Sequence, residues 1–235
     1  MKPFFLIMLA WVLNKGVKDE EFPAFRIAFF LLVITIAPII SQPDFGMSII
    51  FIILWFTMVM LSGIGFLWLI ILGFFALLFI MLGFLILPHV ADRVMNFLDS
   101  GEKDFQVQKS LEAFKIGKIF GVGPGEGELK YIIPDSHTDF IFAVASEEMG
   151  MMLCLFIMVL YGTILIRPVF KNLKNKEPFI FLCVVGASFL ITIQALINIS
   201  VSTGLLPSTG VTLPFISYGG SSFVSSSILA GIILS

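Results

Sequence analysis

From residue 179 to 201 the chain carries no Asp, Glu, Lys or Arg. A run of that length limits the fold sharply. A helix that crosses a bilayer needs roughly 20 apolar residues, because no water reaches its backbone polar groups. Comparable stretches occur at residues 25–40, 47–61, 66–87, 140–166 and 220–235, and a shorter one at 3–13 is too short to span. Ser62-Gly63-Ile64-Gly65 is all that separates two of them, and it reads as a tight helix-to-helix turn. Only 13% of residues are charged and 58% are hydrophobic, including 27 Phe and 11 Met. A soluble domain carries about 25% charged residues, so lipid must cover much of this surface. The expectation is an all-α integral membrane protein, a multi-helix transmembrane bundle. A net charge of −2 offers no basic field for nucleic acid.

Cys154 and Cys183 both lie in apolar runs and read as small packing residues, not as a disulfide framework. No small-residue cleavage site follows the first apolar run, so no cleavable signal peptide is expected. The first segment begins mid-helix and the last stops short of a crossing. Span length therefore predicts one transmembrane domain over residues 1–235, truncated at both ends, with helices missing upstream.

Basic residues in short loops set orientation. Lys15, Lys18 and Arg26 flank one connection, and Arg167, Lys171, Lys174 and Lys176 fill another. An even number of crossings separates them, so both lie on one side, which the positive-inside rule makes cytoplasmic. The long polar loop over residues 88–138 then faces outward, together with loops 41–46 and 202–219. Within the long loop Val107, Leu111 and Phe114 recur at helical spacing between Lys109, Glu112 and Lys115. That pattern predicts a short amphipathic helix lying on the membrane surface.

The densest polar feature is Ile133-Pro134-Asp135-Ser136-His137-Thr138-Asp139-Phe140, where the loop enters the membrane. Thr138 or Asp139 can cap the following helix. The functional alternative is a carboxylate at the wet mouth of a cavity, placed to take a proton from a substrate hydroxyl. Glu147 and Glu148 follow about 12–14 Å further along a helix rising 1.5 Å per residue. Intramembrane carboxylates are costly and point to function, or else they bond neighbouring helices. Gly121-Val122-Gly123-Pro124-Gly125-Glu126-Gly127 lacks the Gly-Lys-Ser/Thr ending of a P-loop. It reads as a flexible loop, or as backbone that a ligand can approach closely. His89 and His137 are far apart and support no metal site. Gln42-Pro43-Asp44-Phe45-Gly46 has ordinary turn chemistry. The last outer loop, rich in Gly and Pro and ending in Ser217-Tyr218-Gly219-Gly220-Ser221-Ser222, suits a re-entrant or closely packed segment.

These motifs together resemble the SEDS family (shape, elongation, division and sporulation). The Gln42–Gly46 turn, Arg93 followed by Gln108-Lys109-Ser110, the glycine run with Lys130, the stretch from Pro134 to Val144 followed by Glu147-Glu148-Met149-Gly150, and Asn198 with Leu213-Pro214-Phe215-Ile216-Ser217-Tyr218-Gly219-Gly220 occur in the family's order. The likeness covers essentially the whole chain and favours the division-type branch over the elongation type. It implies the C-terminal part of a ten-helix fold with one long extracytoplasmic loop, in the bacterial cytoplasmic (inner) membrane.

The resemblance also implies a peptidoglycan glycosyltransferase that polymerises lipid II, the undecaprenyl-pyrophosphoryl disaccharide-peptide. Asp139 is then the essential carboxylate, most simply the general base. Gln108, Lys109, Lys130, His137, Glu147, Glu148 and Ser217 are the candidate substrate-binding residues. A class B penicillin-binding protein transpeptidase, other divisome proteins and membrane lipid are the implied partners. No resident cofactor is implied, and a requirement for a divalent cation stays open. The alternatives are a lipid II flippase or transporter, for which no pair of broken helices is evident in the sequence, and a non-catalytic scaffold for the transpeptidase.

Overall fold

The computed structural model describes residues 1–19, 21–42, 44–63, 73–74, 78, 81, 105–173 and 177–235. Most of the expected span at 66–87, the start of the long loop with His89 and Arg93, Pro43, and Lys174 and Lys176 lie outside the described residues. The described chain is helical: α1 (Lys2–Lys18), α2 (Ala24–Ser41), α3 (Phe45–Leu61), α4 (Phe105–Gly117), a 3-10 turn (Leu129–Tyr131), α5 (Ile141–Asn172), α6 (Pro178–Ser202) and α7 (Gly220–Leu234). Among the described residues α2, α5 and α6 are long and apolar enough to cross a membrane. α3 and α7 are apolar but shorter.

The chain divides into two compact units. The first comprises Met1–Gly83, Ile164–Ile191 and Ser225–Ser235. Here α1 buries Phe5, Leu6, Leu9, Ala10, Val12 and Leu13, a stripe at helical spacing that faces protein while Phe4, Ile7, Met8 and Trp11 stay exposed. Phe5 meets Phe51 of α3 edge to face at 5.1 Å. Trp55 is buried, and its indole N–H donates to the Ala28 carbonyl at 2.9 Å, joining α3 to α2. Asp44 caps α3 by accepting from the Met47 amide at 3.0 Å. Gly186 of α6 lies so close to Leu6 and Met58 that a Cβ would collide with both.

The second unit comprises Phe84–Thr163 and Thr192–Val224. Its core gathers Val107 and Ala113 of α4, Leu129, Ile133, Phe140, Ala143 of α5 and Val201 of α6, with Leu111 and Phe114 packed against them. The expected amphipathic helix is therefore present, and its apolar face packs on protein. The neighbouring loop supplies Leu129 and Ile133, and burying apolar area needs only an apolar partner. Ser110 on the same face is fully buried and donates to the Ser202 carbonyl at 2.6 Å, so it holds α4 against the end of α6.

Candidate active site

All the chemistry-bearing segments fall in the second unit. The segment entering α5 is built by a tight turn. The amides of Thr138 and Asp139 both donate to the Asp135 carbonyl at 3.0 Å. The Thr138 hydroxyl donates to that same carbonyl at 3.1 Å, so it serves the turn. Asp135 itself adopts φ +56, a left-handed conformation that Asp tolerates better than most residues. Ser136 is buried and donates to the Lys130 carbonyl at 2.7 Å, which ties the turn to the glycine loop.

The carbonyls of His137, Thr138 and Asp139 each accept from a different donor. The Tyr218 amide reaches His137 at 2.9 Å, the Ser217 hydroxyl reaches Thr138, and Asn198 Nδ2 reaches Asp139 at 2.8 Å. Irregular backbone in a membrane protein persists where it is buried in protein or lines a cavity, and the 203–219 segment meets that condition. Its Val211, Leu213 and Pro214 are buried. Its carbonyls take bonds from polar side chains of apolar helices: Gln194 to Thr212 at 3.0 Å, Asn198 to Val211 at 2.7 Å, and the Tyr161 hydroxyl to Pro214. The Ser217 hydroxyl also accepts from the Leu213 amide at 2.7 Å, closing the loop on itself. Gly210 passes beside Asp139, and a Cβ there would lie 3.8 Å from the carboxylate.

An open pocket of about 610 Å³ is lined by His137 and Ile141, which bracket Asp139, and by Ile216, Ser217, Tyr218, Gly219, Gly220 and Phe223. Asp139 is half-buried at the side of this pocket and is not among its lining residues. His137 and Ser217, both expected near substrate, do line it. The lining is mainly apolar with a polar edge, which suits an amphiphilic ligand.

Glu147 and Glu148 stand at a break in α5. Gly150 has φ +77 and ψ 178, so the helix is interrupted there. In an unbroken helix the Met151 and Met152 amides would bond the Glu147 and Glu148 carbonyls. Instead the loop is spliced into the ladder. Val122 and Gly123 donate to the Glu147 and Glu148 carbonyls at 2.9 and 3.0 Å, while Met151 and Met152 donate to the Lys118 and Ile119 carbonyls at 3.0 and 3.3 Å. These two carbonyls and two amides, freed by the break, each find a partner, as a buried backbone requires. This docking explains Gly121 and Gly127. A Cβ at Gly121 would strike the Glu148 backbone, and one at Gly127 would strike the Glu147 and Glu148 side chains. These glycines let the backbone approach the protein's own helix, where the sequence suggested flexibility or access for a ligand.

The two carboxylates complete the docking. Glu147 is 2% exposed, and its Oε1 accepts from the Glu128 and Leu129 amides at 3.0 and 3.2 Å. Its Oε2 has no hydrogen-bond partner among the described residues. Glu148 Oε1 pairs with Lys130 Nζ at 2.7 Å, and the same ammonium donates to the Gly125 carbonyl at 2.7 Å. The hydrogen bond to Glu148 raises the Lys130 pKa above its ordinary value. On α4, Gln108 is exposed and Lys109 pairs with Glu112 at 2.6 Å. The eight candidates thus fall into separate groups: His137 and Ser217 lining the pocket with Asp139 between its lining neighbours His137 and Ile141, Lys130, Glu147 and Glu148 at the splice, and Gln108 and Lys109 on the exposed face of α4. Among the described residues no three His, Cys, Asp or Glu side chains gather as a metal site.

Asn198, Gln194 and Tyr161 had no assigned role in the sequence reading, although all are polar groups within apolar runs. That placement was the available signal, since polar side chains inside membrane helices hydrogen-bond to something specific.

Apolar helices long enough to span, irregular segments packed against them and a carboxylate held at a helix entrance define a polytopic membrane protein. The family model described as cell cycle protein, FtsW/RodA/SpoVE, matches residues 1–235, and the chain belongs to that family. It is 37% identical over 235 residues to the probable peptidoglycan glycosyltransferase FtsW of Caulobacter vibrioides, covering 100% of this chain and 60% of that protein. Against the protein of the same description from Bacillus subtilis it is 39% identical over 215 residues, covering 83% of this chain and 53% of the relative. The stage V sporulation protein E of B. subtilis is 34% identical, with 90% and 58% covered. The chain therefore spans about 60% of the length of the Caulobacter relative.

Among solved structures, a peptidoglycan synthase complex described as coordinating polymerization and crosslinking matches with TM-score 0.75 at 27% identity, covering 96% of this chain and 66% of that one. The rod shape determining protein RodA of Thermus thermophilus matches in fold with TM-score 0.64 at 23% identity, covering 97% and 62%.

Proposed function

We propose that the protein is a peptidoglycan glycosyltransferase that polymerises lipid II, with Asp139 as the general base. The observation that carries this reading is the placement of Asp139. It is held by its backbone at the entrance of α5, beside a pocket whose apolar lining and polar edge suit a lipid-linked sugar. In the reaction Asp139 takes the proton of the acceptor hydroxyl of one lipid II. The hydroxyl oxygen bonds to the anomeric carbon of the growing glycan, and the bond from that carbon to undecaprenyl pyrophosphate breaks. His137 and Ser217 line that pocket and are candidates to meet the sugar or pyrophosphate. Lys130, Gln108 and Lys109 are further candidates for those anionic or polar groups, since a cation stabilises charge developing on the leaving group. Glu147 and Glu148 support the site by docking the glycine loop.

In this reading the protein sits in the bacterial cytoplasmic membrane with the long loop outside. A class B penicillin-binding protein transpeptidase cross-links its product, and the division machinery recruits the pair. The peptidoglycan synthase complex with the matching fold supports a synthase partner of this kind.

One observation favours a transporter. The break at Gly150 gives a discontinuous helix bearing carboxylates, which the sequence had not suggested. The loop backbone that fills the break, and the bonds that occupy Glu147 Oε1 and Glu148 Oε1, weigh toward the enzyme.

The test is polymerisation of labelled lipid II by the protein in its full natural length with its transpeptidase, wild type against Asp139→Asn. Asn keeps the shape and removes the base. Loss of glycan chains with the complex still assembled is expected. Normal polymerisation by the variant would move the transporter and scaffold readings ahead.

A further inference from the structure

We infer that Asn198 is the positioning residue for Asp139, an inference that rests on the reading of Asp139 as the base. Asn198 is 1% exposed, in the middle of an apolar stretch of α6. Its Nδ2 donates to two carbonyls, Asp139 at 2.8 Å and Val211 at 2.7 Å. Carbonyls only accept, so the NH₂ end of the amide must face them. Its Oδ1 is buried with no hydrogen-bond partner among the described residues. An unsatisfied buried acceptor is costly, so a residue spent purely on packing would be better served by an apolar side chain at this position.

The geometry shows what this tie does that its neighbours do not. Ser217 and Tyr218 bond the Thr138 and His137 carbonyls from within the 203–219 loop. Those bonds join the loop to the Asp139 segment and add no tie to α6. Asn198 pins both members, through Asp139 and Val211, to a single point on α6. Gln194 and Tyr161 hold the loop at other points, so without Asn198 the clamp can stay closed while the Asp139 backbone loses its direct tie to α6 and its carboxylate shifts.

Gln194, one turn earlier on α6, provides the internal control. It is buried and donates to the same loop through the Thr212 carbonyl at 3.0 Å. It anchors the loop from the same helix at a neighbouring point.

The experiment measures kcat and KM for labelled lipid II, together with thermal unfolding, in the full-length protein bound to its transpeptidase. The variants are Asn198→Ala, Asn198→Gln, Gln194→Ala and Asp139→Asn. A misplacement of about 1 Å at a reacting group costs on the order of 100-fold in rate. Asn198→Ala should therefore lose about 100-fold in kcat with KM unchanged, while Gln194→Ala lowers the unfolding temperature to a similar degree and keeps its kcat. Asn198→Gln retains both N–H donors one methylene further out, so it should fold and recover part of the lost kcat. If Asn198→Ala fails to fold, Asn198→Gln decides. Wild-type kcat in folded Asn198→Gln overturns the inference. So does an equal loss of kcat in Asn198→Ala and Gln194→Ala that follows their stability. An inactive Asp139→Asn beside a fully active Asn198→Ala refutes the positioning role alone. A normally active Asp139→Asn refutes the base and the positioning role together.

Discussion

Glu147 gives the sharpest test of the spliced helix. Its Oε1 is the acceptor for the amides of Glu128 and Leu129, at 3.0 and 3.2 Å, and Leu129 is a core residue at 4% exposure. Glu147→Ala removes that acceptor and leaves two donors to find others. Each buried donor left unsatisfied costs about 1–3 kcal/mol. The Glu128 amide is nearer solvent, which brings the expected total to about 3 kcal/mol in favour of loop undocking. At about 1.4 kcal/mol per factor of ten, that is on the order of 100-fold in the docking equilibrium. Hydrogen exchange read by mass spectrometry over a peptide spanning residues 121–131 should show faster exchange by about that factor. Glu147→Gln keeps a carbonyl oxygen at the same reach, so its exchange should stay close to wild type. Equal acceleration in both variants would mean that charge, not the acceptor, holds the loop. No acceleration in Glu147→Ala would mean that the loop is not docked through this side chain at all.

Gly150→Ala places a Cβ against the Ile119 carbonyl at a φ of +77 with extended ψ, a region close to glycine-only. The strain alone costs about 1–3 kcal/mol. The variant should unfold at markedly lower temperature by fluorescence-detected size exclusion, and an unchanged profile would refute the break. Lys130 has its pKa raised above the ordinary 10.5 by its bond to Glu148. The stabilisation from the charged pair is therefore fully present below 10.5 and is lost as pH rises through the higher folded value. Lys130→Met should remove that alkaline step from a pH series of loop exchange while leaving behaviour near neutral pH without a new step.

The main elements were legible along the chain because each depends on local properties. Apolar runs near 20 residues long marked α2, α5 and α6, and helical spacing marked α4. Pro-Asp-Ser-His-Thr-Asp marked the entrance to α5. The environment around these elements was less legible. α4 showed an apolar stripe, but a stripe does not say whether protein or lipid will cover it, and the structure covers it with Leu129, Ile133 and Phe140. The glycine run announced unusual backbone without announcing a partner. The partner is a helix interruption at Gly150, and one glycine in a long apolar run gives little warning of it.

The sequence by itself determined that this chain must be a helical membrane protein and where its polar chemistry is concentrated. Hydrophobicity and helical period are summed over neighbours and need no knowledge of the fold. Tertiary structure alone decided which polar groups meet. Asn198 is 59 residues from Asp139, and Ser217 is 79 residues from Thr138. Those bonds form because the fold brings the 137–139 and 211–214 carbonyls against donors on α5, α6 and the loop, which pair groups that packing takes from water. That requirement to pair every buried polar group turns a pattern of apolar runs into a held site.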